Sequence, residues 1–152
     1  MKKIALLGAA HIHTPDFVRR LLTRKDFNVV GVWDHDSERA NLNAQKLGCQ
    51  ICSSVDELLQ LDALEAVIVC AETNRHEQLL EKVAQAGKHC FVEKPLGMGK
   101  ADSERMDKAL TESGVLFQTG YFNRSRSAYR KIKQLIDSNS FGSISRIRLN
   151  NY

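Results

Sequence analysis

The chain has 152 residues, 43% hydrophobic and 26% charged, with 22 Lys and Arg against 18 Asp and Glu for a formal net charge of +4. These figures fit one ordinary soluble globular domain with a proper core. They exclude a helix that spans a membrane, which needs about 18 apolar residues in a row, and a complete eightfold β/α barrel of about 250 residues.

The basic pair and apolar run at the start read as a buried strand, Ile4 to Leu7, rather than a signal peptide, because polar residues arrive by His11. Thr14-Pro15 opens a helix: Thr caps, Pro suits the first turn, and Phe17, Val18, Leu21 and Leu22 form the apolar stripe. A second strand covers Phe27 to Trp33. A helix follows from Ser37 to Leu47 and closes at Gly48. A short strand holds Cys49 and Cys52. Ser54 with Glu57 fits a capping box for a short helix carrying Leu58 and Leu59. Ala66 to Cys70 is an unbroken apolar strand, the kind covered on both faces. A helix from Asn74 to Ala86 stops at Gly87, and Cys90 to Val92 forms a strand. A helix from Ala101 to Ser113 stops at Gly114, and Val115 to Gln118 makes the sixth strand. Strands alternating with helices at this spacing predict an α/β, doubly wound parallel sheet of the Rossmann-like kind over residues 1–120. Residues 121–152 read differently. Ser127 to Ser138 is a basic helix, and Ser143 to Asn151 alternates as a strand, the start of a truncated second α+β domain.

Charge follows the same division. Residues 1–120 are net −2, whereas residues 121–152 carry seven basic side chains against Asp137 alone. A basic tail can meet nucleic acid, but no reading motif accompanies it, so a surface awaiting a partner domain is the preferred reading. An orphan strand edge tends to pair with another chain, so disorder near residues 125–152 or a homo-oligomer is expected. Cys49 and Cys52 have CxxC spacing, yet in a strand the two side chains point to opposite faces. Cys70 and Cys90 lie in apolar runs. All four thiols are expected reduced, which suits the cytoplasm.

The turn after the first strand reads Gly8-Ala9-Ala10-His11-Ile12-His13. A dinucleotide turn wants G-x-G-x-x-G at a helix N-terminus, and only its first glycine is present. Ala10 puts a methyl where backbone and phosphate approach, and His13 puts a ring where helix packs on strand. Asp34 ends the second strand 21 residues after the third glycine's place. It is positioned for the adenosine ribose hydroxyls and would repel a 2′-phosphate, favouring NAD over NADP. Arg39 is a nearby counterweight, and a capping or loop role for Asp34 stays open. His11-x-His13 also has the form of two metal ligands in a hydrolase fragment, but no ligand constellation follows it and no metal is expected.

Ala86-Gly87-Lys88-His89-Cys90-Phe91-Val92-Glu93-Lys94-Pro95-Leu96 resembles the glucose–fructose oxidoreductase, inositol dehydrogenase and rhizopine catabolism family, Gfo/Idh/MocA. Asp62 to His76 is similar to that family's fourth strand, cofactor loop and helix-start His, with Glu72 where the family usually has Pro. Gly120-Tyr121-Phe122-Asn123-Arg124 and Phe141-Gly142-Ser143-Ile144 extend the resemblance over essentially the whole chain. The resemblance implies a nicotinamide-dependent oxidoreductase acting on a sugar, cyclitol or similar polyol, with members roughly twice this length. It implies cofactor contacts from Gly8, Ala10, His11, Ile12, Asp34, Ala71, Thr73, Asn74, His76, Glu93 and Lys94, with NAD as cofactor and NADP possible. Lys94 becomes the catalytic, substrate-facing ammonium, able to bind a hydroxyl and help its proton leave. Glu93 positions the nicotinamide or its ribose. Pro95 fixes the loop through an expected cis Lys94–Pro95 bond. Without a second domain the chain is expected to turn over little or nothing. A non-catalytic dinucleotide-binding or sensing module is the alternative.

Overall fold

The computed structural model describes residues 1–148 and Asn150. Six parallel strands form one sheet: β1 (Lys2–Leu7), β2 (Phe27–Trp33), β3 (Gln50–Ile51), β4 (Leu64–Val69), β5 (His89–Val92) and β6 (Phe117–Thr119). They run in the order β3-β2-β1-β4-β5-β6. The chain therefore reverses direction across the sheet between β1 and β4. An open α/β sheet has its binding crevice at such a point, outside the ends of the strands.

Five helices lie between the strands: α1 (Thr14–Thr23), α2 (Ser37–Leu47), α3 (Val55–Leu59), α4 (His76–Gln85) and α5 (Lys100–Glu112). The buried side chains sort them into two layers. Val18 of α1 with Ala40 and Ala44 of α2 pack on Leu6, Val32 and Cys70. Leu58, Leu80, Val83, Met106 and Leu110 of α3, α4 and α5 pack on Ala5, Leu7, Val67, Val69 and Val92. Neighbouring residues of β1 thus serve opposite layers, which is why these strands are apolar throughout rather than alternating. The layer carrying α1 leaves part of the sheet open, as a groove of about 750 Å³ lined by Phe17, Leu21, Ile68, Phe91 and Gln118 among others.

Local signals place the helix ends, with two revisions. Asp36 caps α2, accepting from the amides of Glu38 and Arg39, and Gly48 closes it in the left-handed region. Ser54 accepts from the Glu57 amide, but the Glu57 carboxylate reaches back to the amide and hydroxyl of Ser53, closing the box one residue early. Thr14 does not cap α1: His13 holds the cap position without a side-chain bond, Pro15 occupies the first turn, and Thr14 is buried. The fourth helix opens as a 3₁₀ turn over Thr73–Arg75 before α4 begins.

Cys49 packs in the α1/α2 layer and Cys52 in the opposite one, as a strand requires of residues three apart. All four cysteines are free thiols.

The residues divide into two compact units, Met1–Gly120 and the segment from Tyr121 onward. In the second, a 3₁₀ turn (Phe122–Ser125) precedes α6 (Ser127–Asp137), whose Tyr129 and Ile132 are exposed. The strand expected from Ser143 is not formed over residues 143–148, and its remaining positions Leu149 and Asn151 lie outside the described residues. An alternating sequence becomes a strand only when a neighbouring strand accepts its ladder, and no ladder reaches residues 143–148.

Candidate functional site

The loops that follow β1, β2, β4 and β5 meet at one edge of the sheet. Gly8 ends β1 with φ +78°, and a Cβ there would fall 2.5 Å from the Ala71 Cβ at the end of β4. Both the positive φ and the close approach demand glycine at this one position of the turn. Its amide donates to the Trp33 carbonyl at 2.7 Å, and the His11 amide donates to the Cys70 carbonyl at 2.9 Å. The turn is therefore braced from β2 and β4 together. Among the described residues the amides of Ala10 and Ile12 donate to nothing. Two free amides in the turn leading into α1 are what an anionic diphosphate needs. His13 is exposed, so its ring does not enter the helix–strand contact as its place in the motif suggested. Ile12 is 81% exposed at the lip of the turn.

Asp34 holds the next loop. Its Oδ2 accepts from the Ala9 amide at 2.6 Å and Arg39 Nε at 3.3 Å, and its Oδ1 accepts from the Asp36 amide at 2.8 Å and Arg39 Nη2 at 2.9 Å. Burial alone would push this carboxyl up, but the Arg39 guanidinium and the two amides outweigh it and hold Asp34 below its usual value. A carboxylate has about four acceptor sites, and Arg39 fills two of them here. Asp34 is thus an anchor between the β1 turn and α2, and a ribose hydroxyl meets it only by competing with Arg39. Arg39 Nη2 also donates to Glu72 Oε1 at 3.0 Å, tying α2 to the loop after β4. His35 Nδ1 stands 3.6 Å and Arg75 Nε 3.7 Å from Glu72 Oε2.

At the other end of the edge, Glu93 is 5% exposed and its Oε2 accepts from the Lys94 amide at 2.8 Å. His11 Nε2 lies 4.0 Å from the same oxygen. Burial lowers the His11 pKa, and the attraction of Glu93 only partly offsets it. The Lys94–Pro95 peptide is cis, in agreement with the expectation. Lys94 itself is half-buried.

His76 opens α4 wholly buried. Its Nδ1 lies 2.9 Å from the Leu96 carbonyl and its Nε2 3.2 Å from the Ala71 carbonyl. Both ring nitrogens face protein acceptors, so His76 joins two loops of the site rather than facing into it. Thr73 and Asn74 lie on the 3₁₀ turn ahead of it, Asn74 exposed. One end of the edge therefore gathers Asp34, Arg39 and Glu72, the other His11, Glu93 and Lys94, with Gly8, Ala10 and Ala71 between.

His11 and His13 stack with ring centroids 5.1 Å apart, and the His13 amide donates to His11 Nδ1 at 3.2 Å. Among the described residues no group of three or more His, Cys, Asp or Glu is placed to hold a metal ion.

Two contributors escaped the sequence reading. The Arg39–Glu72 tie joins positions 33 residues apart, and the only signal was an acidic residue where the resemblance expects proline. Gly120 makes room for Glu93: a Cβ there would lie 3.0 Å from Glu93 Oε2. A glycine just after a strand gives no hint of which carboxylate it accommodates.

The Gfo/Idh/MocA family model, described as an oxidoreductase family with an NAD-binding Rossmann fold, matches residues 2–121. The myo-inositol 2-dehydrogenase of Thermotoga maritima is 29% identical over 92% of this chain and 42% of its own length. The scyllo-inositol 2-dehydrogenase (NAD(+)) of Bacillus subtilis is 34% identical over 75% of this chain and 34% of its own. A crystal structure of scyllo-inositol dehydrogenase from Lactobacillus casei superposes with a TM-score of 0.78 at 24% identity, covering 95% of this chain and 43% of that one, which shows the shared fold. The chain spans less than half the length of the curated relatives it matches.

Proposed function

We infer, from the premise that this chain belongs to the Gfo/Idh/MocA oxidoreductase family, that it is the nucleotide-binding portion of an enzyme moving hydride between nicotinamide and a cyclitol, sugar or similar polyol. Its first 120 residues are an NAD-binding Rossmann domain. The observation that carries the reading is the Glu93-Lys94 pair at the end of β5, next to the β1 turn at the point where strand order reverses.

The residues present fit such a cofactor. The free amides of Ala10 and Ile12 with the start of α1 would hold its diphosphate, and Gly8 lets that turn approach Ala71. Thr73 and Asn74 would line the loop opposite. When bound, the nicotinamide supplies the hydride acceptor or donor. The Lys94 ammonium would bind the substrate oxygen and hold its proton, and Glu93 fixes the Lys94 backbone through its amide.

The two inositol dehydrogenases among the relatives support a polyol substrate. Residues 121–152 serve as the linker helix and the beginning of a second domain, and the exposed Tyr129 and Ile132 of α6 suit coverage by further protein or by another copy in a homo-oligomer. Among the described residues no helix is long and apolar enough to cross a membrane. Four free thiols suit a reducing compartment, the cytoplasm.

Titrating the 152-residue chain with NADH, followed by nucleotide fluorescence, tests the reading. Saturable NADH binding is expected, with little or no polyol oxidation when NAD+ is supplied in its place as the hydride acceptor, and absence of binding overturns it. In any longer chain that turns over a polyol, Lys94→Met is expected to lower kcat by about 10²–10⁴-fold while NADH affinity changes little.

A further inference from the structure

We propose that Glu72 is a specificity-determining residue that makes this site prefer NAD(H) to NADP(H), by holding Arg39 away from the place of a 2′-phosphate. The inference rests on the dinucleotide reading above and goes beyond it. Asp34 lies near the adenosine end of the site, where an acidic residue after the second strand meets the ribose. Yet its side chain is 1% exposed and its acceptor sites are filled by Ala9, Asp36 and Arg39. The cation exposed at this end is Arg39, whose side chain is 32% exposed.

A phosphate on the ribose carries charge of about −2 and seeks a guanidinium. Arg39 is the guanidinium nearest that carboxylate, and it is committed at both ends. Nε and Nη2 serve Asp34, and Nη2 also serves Glu72 Oε1 at 3.0 Å. Nη1 faces a third carboxylate, Asp36, at 3.7 Å. Turning Arg39 toward a phosphate would leave Glu72 facing that phosphate with no partner closer than His35 at 3.6 Å and Arg75 at 3.7 Å. Glu72 Oε2 is already buried without a hydrogen-bond partner, so its negative charge is poorly compensated and a further anion beside it is disfavoured. Asp34, Asp36 and Glu72 together outnumber Arg39 and Arg75, and a dianion adds to the majority.

The test measures Kd for NADH and for NADPH by fluorescence titration of the wild-type chain, Glu72→Gln and Glu72→Ala, with thermal midpoints to establish folding. Glutamine keeps an acceptor for Arg39 and removes the charge; alanine also removes the hold of residue 72 on the guanidinium, leaving that of Asp34. The wild type is expected to bind NADH more tightly. The ratio Kd(NADPH)/Kd(NADH) is expected to fall about tenfold, the scale of one half-exposed charge facing a phosphate at close range, and more in the alanine variant. Adding Arg39→Ala to Glu72→Ala should cancel the gain for NADPH. A ratio that stays within about twofold of wild type in both folded variants overturns the role of Glu72 while leaving dinucleotide binding intact, as does a wild type that prefers NADPH. A wild type that binds neither nucleotide overturns the dinucleotide reading and this inference with it.

Discussion

The Nδ1 of His76 lies 2.9 Å from the carbonyl oxygen of Leu96, twenty residues away and across the loop that carries Glu93 and Lys94. Its Nε2 reaches Ala71, whose Cβ faces Gly8. One buried ring thus sets the spacing between the turn that would hold the diphosphate and the loop that presents Lys94.

Replacing His76 with leucine keeps most of the volume and removes the ring N–H that serves one of the two facing carbonyls. A buried polar group left unsatisfied costs about 1–3 kcal/mol, and a loss of that size is expected in urea unfolding. Weaker NADH binding should accompany it, because two loops lose their common brace. A variant as stable as wild type would show that His76 does not hold them.

Gly8 and Ala10 occupy two glycine places of one motif and should respond in opposite ways. At Gly8 a methyl meets Ala71 at 2.5 Å and the backbone has φ +78°, so Gly8→Ala is expected to cost about 3 kcal/mol or more. Ala10 has no positive φ. Ala10→Gly should leave stability within about 1 kcal/mol and tighten NADH severalfold by admitting the diphosphate closer to the backbone. Equal effects on stability would contradict this division.

The thiols are expected to be inert. Burial pushes Cys49 up to about 11 and Cys70 and Cys90 up to about 12, and raises Cys52 as well. The reactive species is the thiolate. At neutral pH a thiol reagent should therefore modify the native chain slowly and all four cysteines at once after denaturation. Rapid labelling of Cys49 and Cys52 in the native protein would revive a redox role for their CxxC spacing.

Most of the fold was legible because it is written in short-range pattern. Ala66 to Val69 has no polar side chain, which only a strand covered on both faces tolerates. Gly48, Gly87 and Gly114 each adopt positive φ after a helix, as C-terminal caps do. At the candidate site, local pattern anticipated the turn that requires Gly8 and the cis Lys94–Pro95 bond. The site was not legible where a side chain's role is fixed by a partner far along the chain. The partners of Asp34, which are Arg39 and the Ala9 amide, and the carbonyls of Leu96 and Ala71 beside the His76 ring lie beyond what spacing reports. Burial decides such roles, and spacing does not report it. The final strand failed for a related reason: Ser143 to Arg148 alternates well, but alternation supplies a face and not a neighbour.

His11 makes the stability of the first unit depend on pH near neutrality. Burial disfavours its charged form, and Lys94 and His13 add to that effect, while Glu93 opposes it without reversing the sign. The folded chain therefore holds the His11 proton less tightly than the unfolded chain, whose ordinary value is 6.5. Between the lowered value and 6.5 the unfolded state binds more protons, so unfolding free energy rises with pH through that window and levels off above it. His11→Asn keeps a polar group of similar reach that does not titrate. Urea unfolding between about pH 5 and 8 should show the slope in the wild-type chain and a flatter profile in the variant. Parallel profiles would mean that another group carries the dependence and that the His11–Glu93 approach at 4.0 Å leaves the ring as easily protonated in the fold as in water.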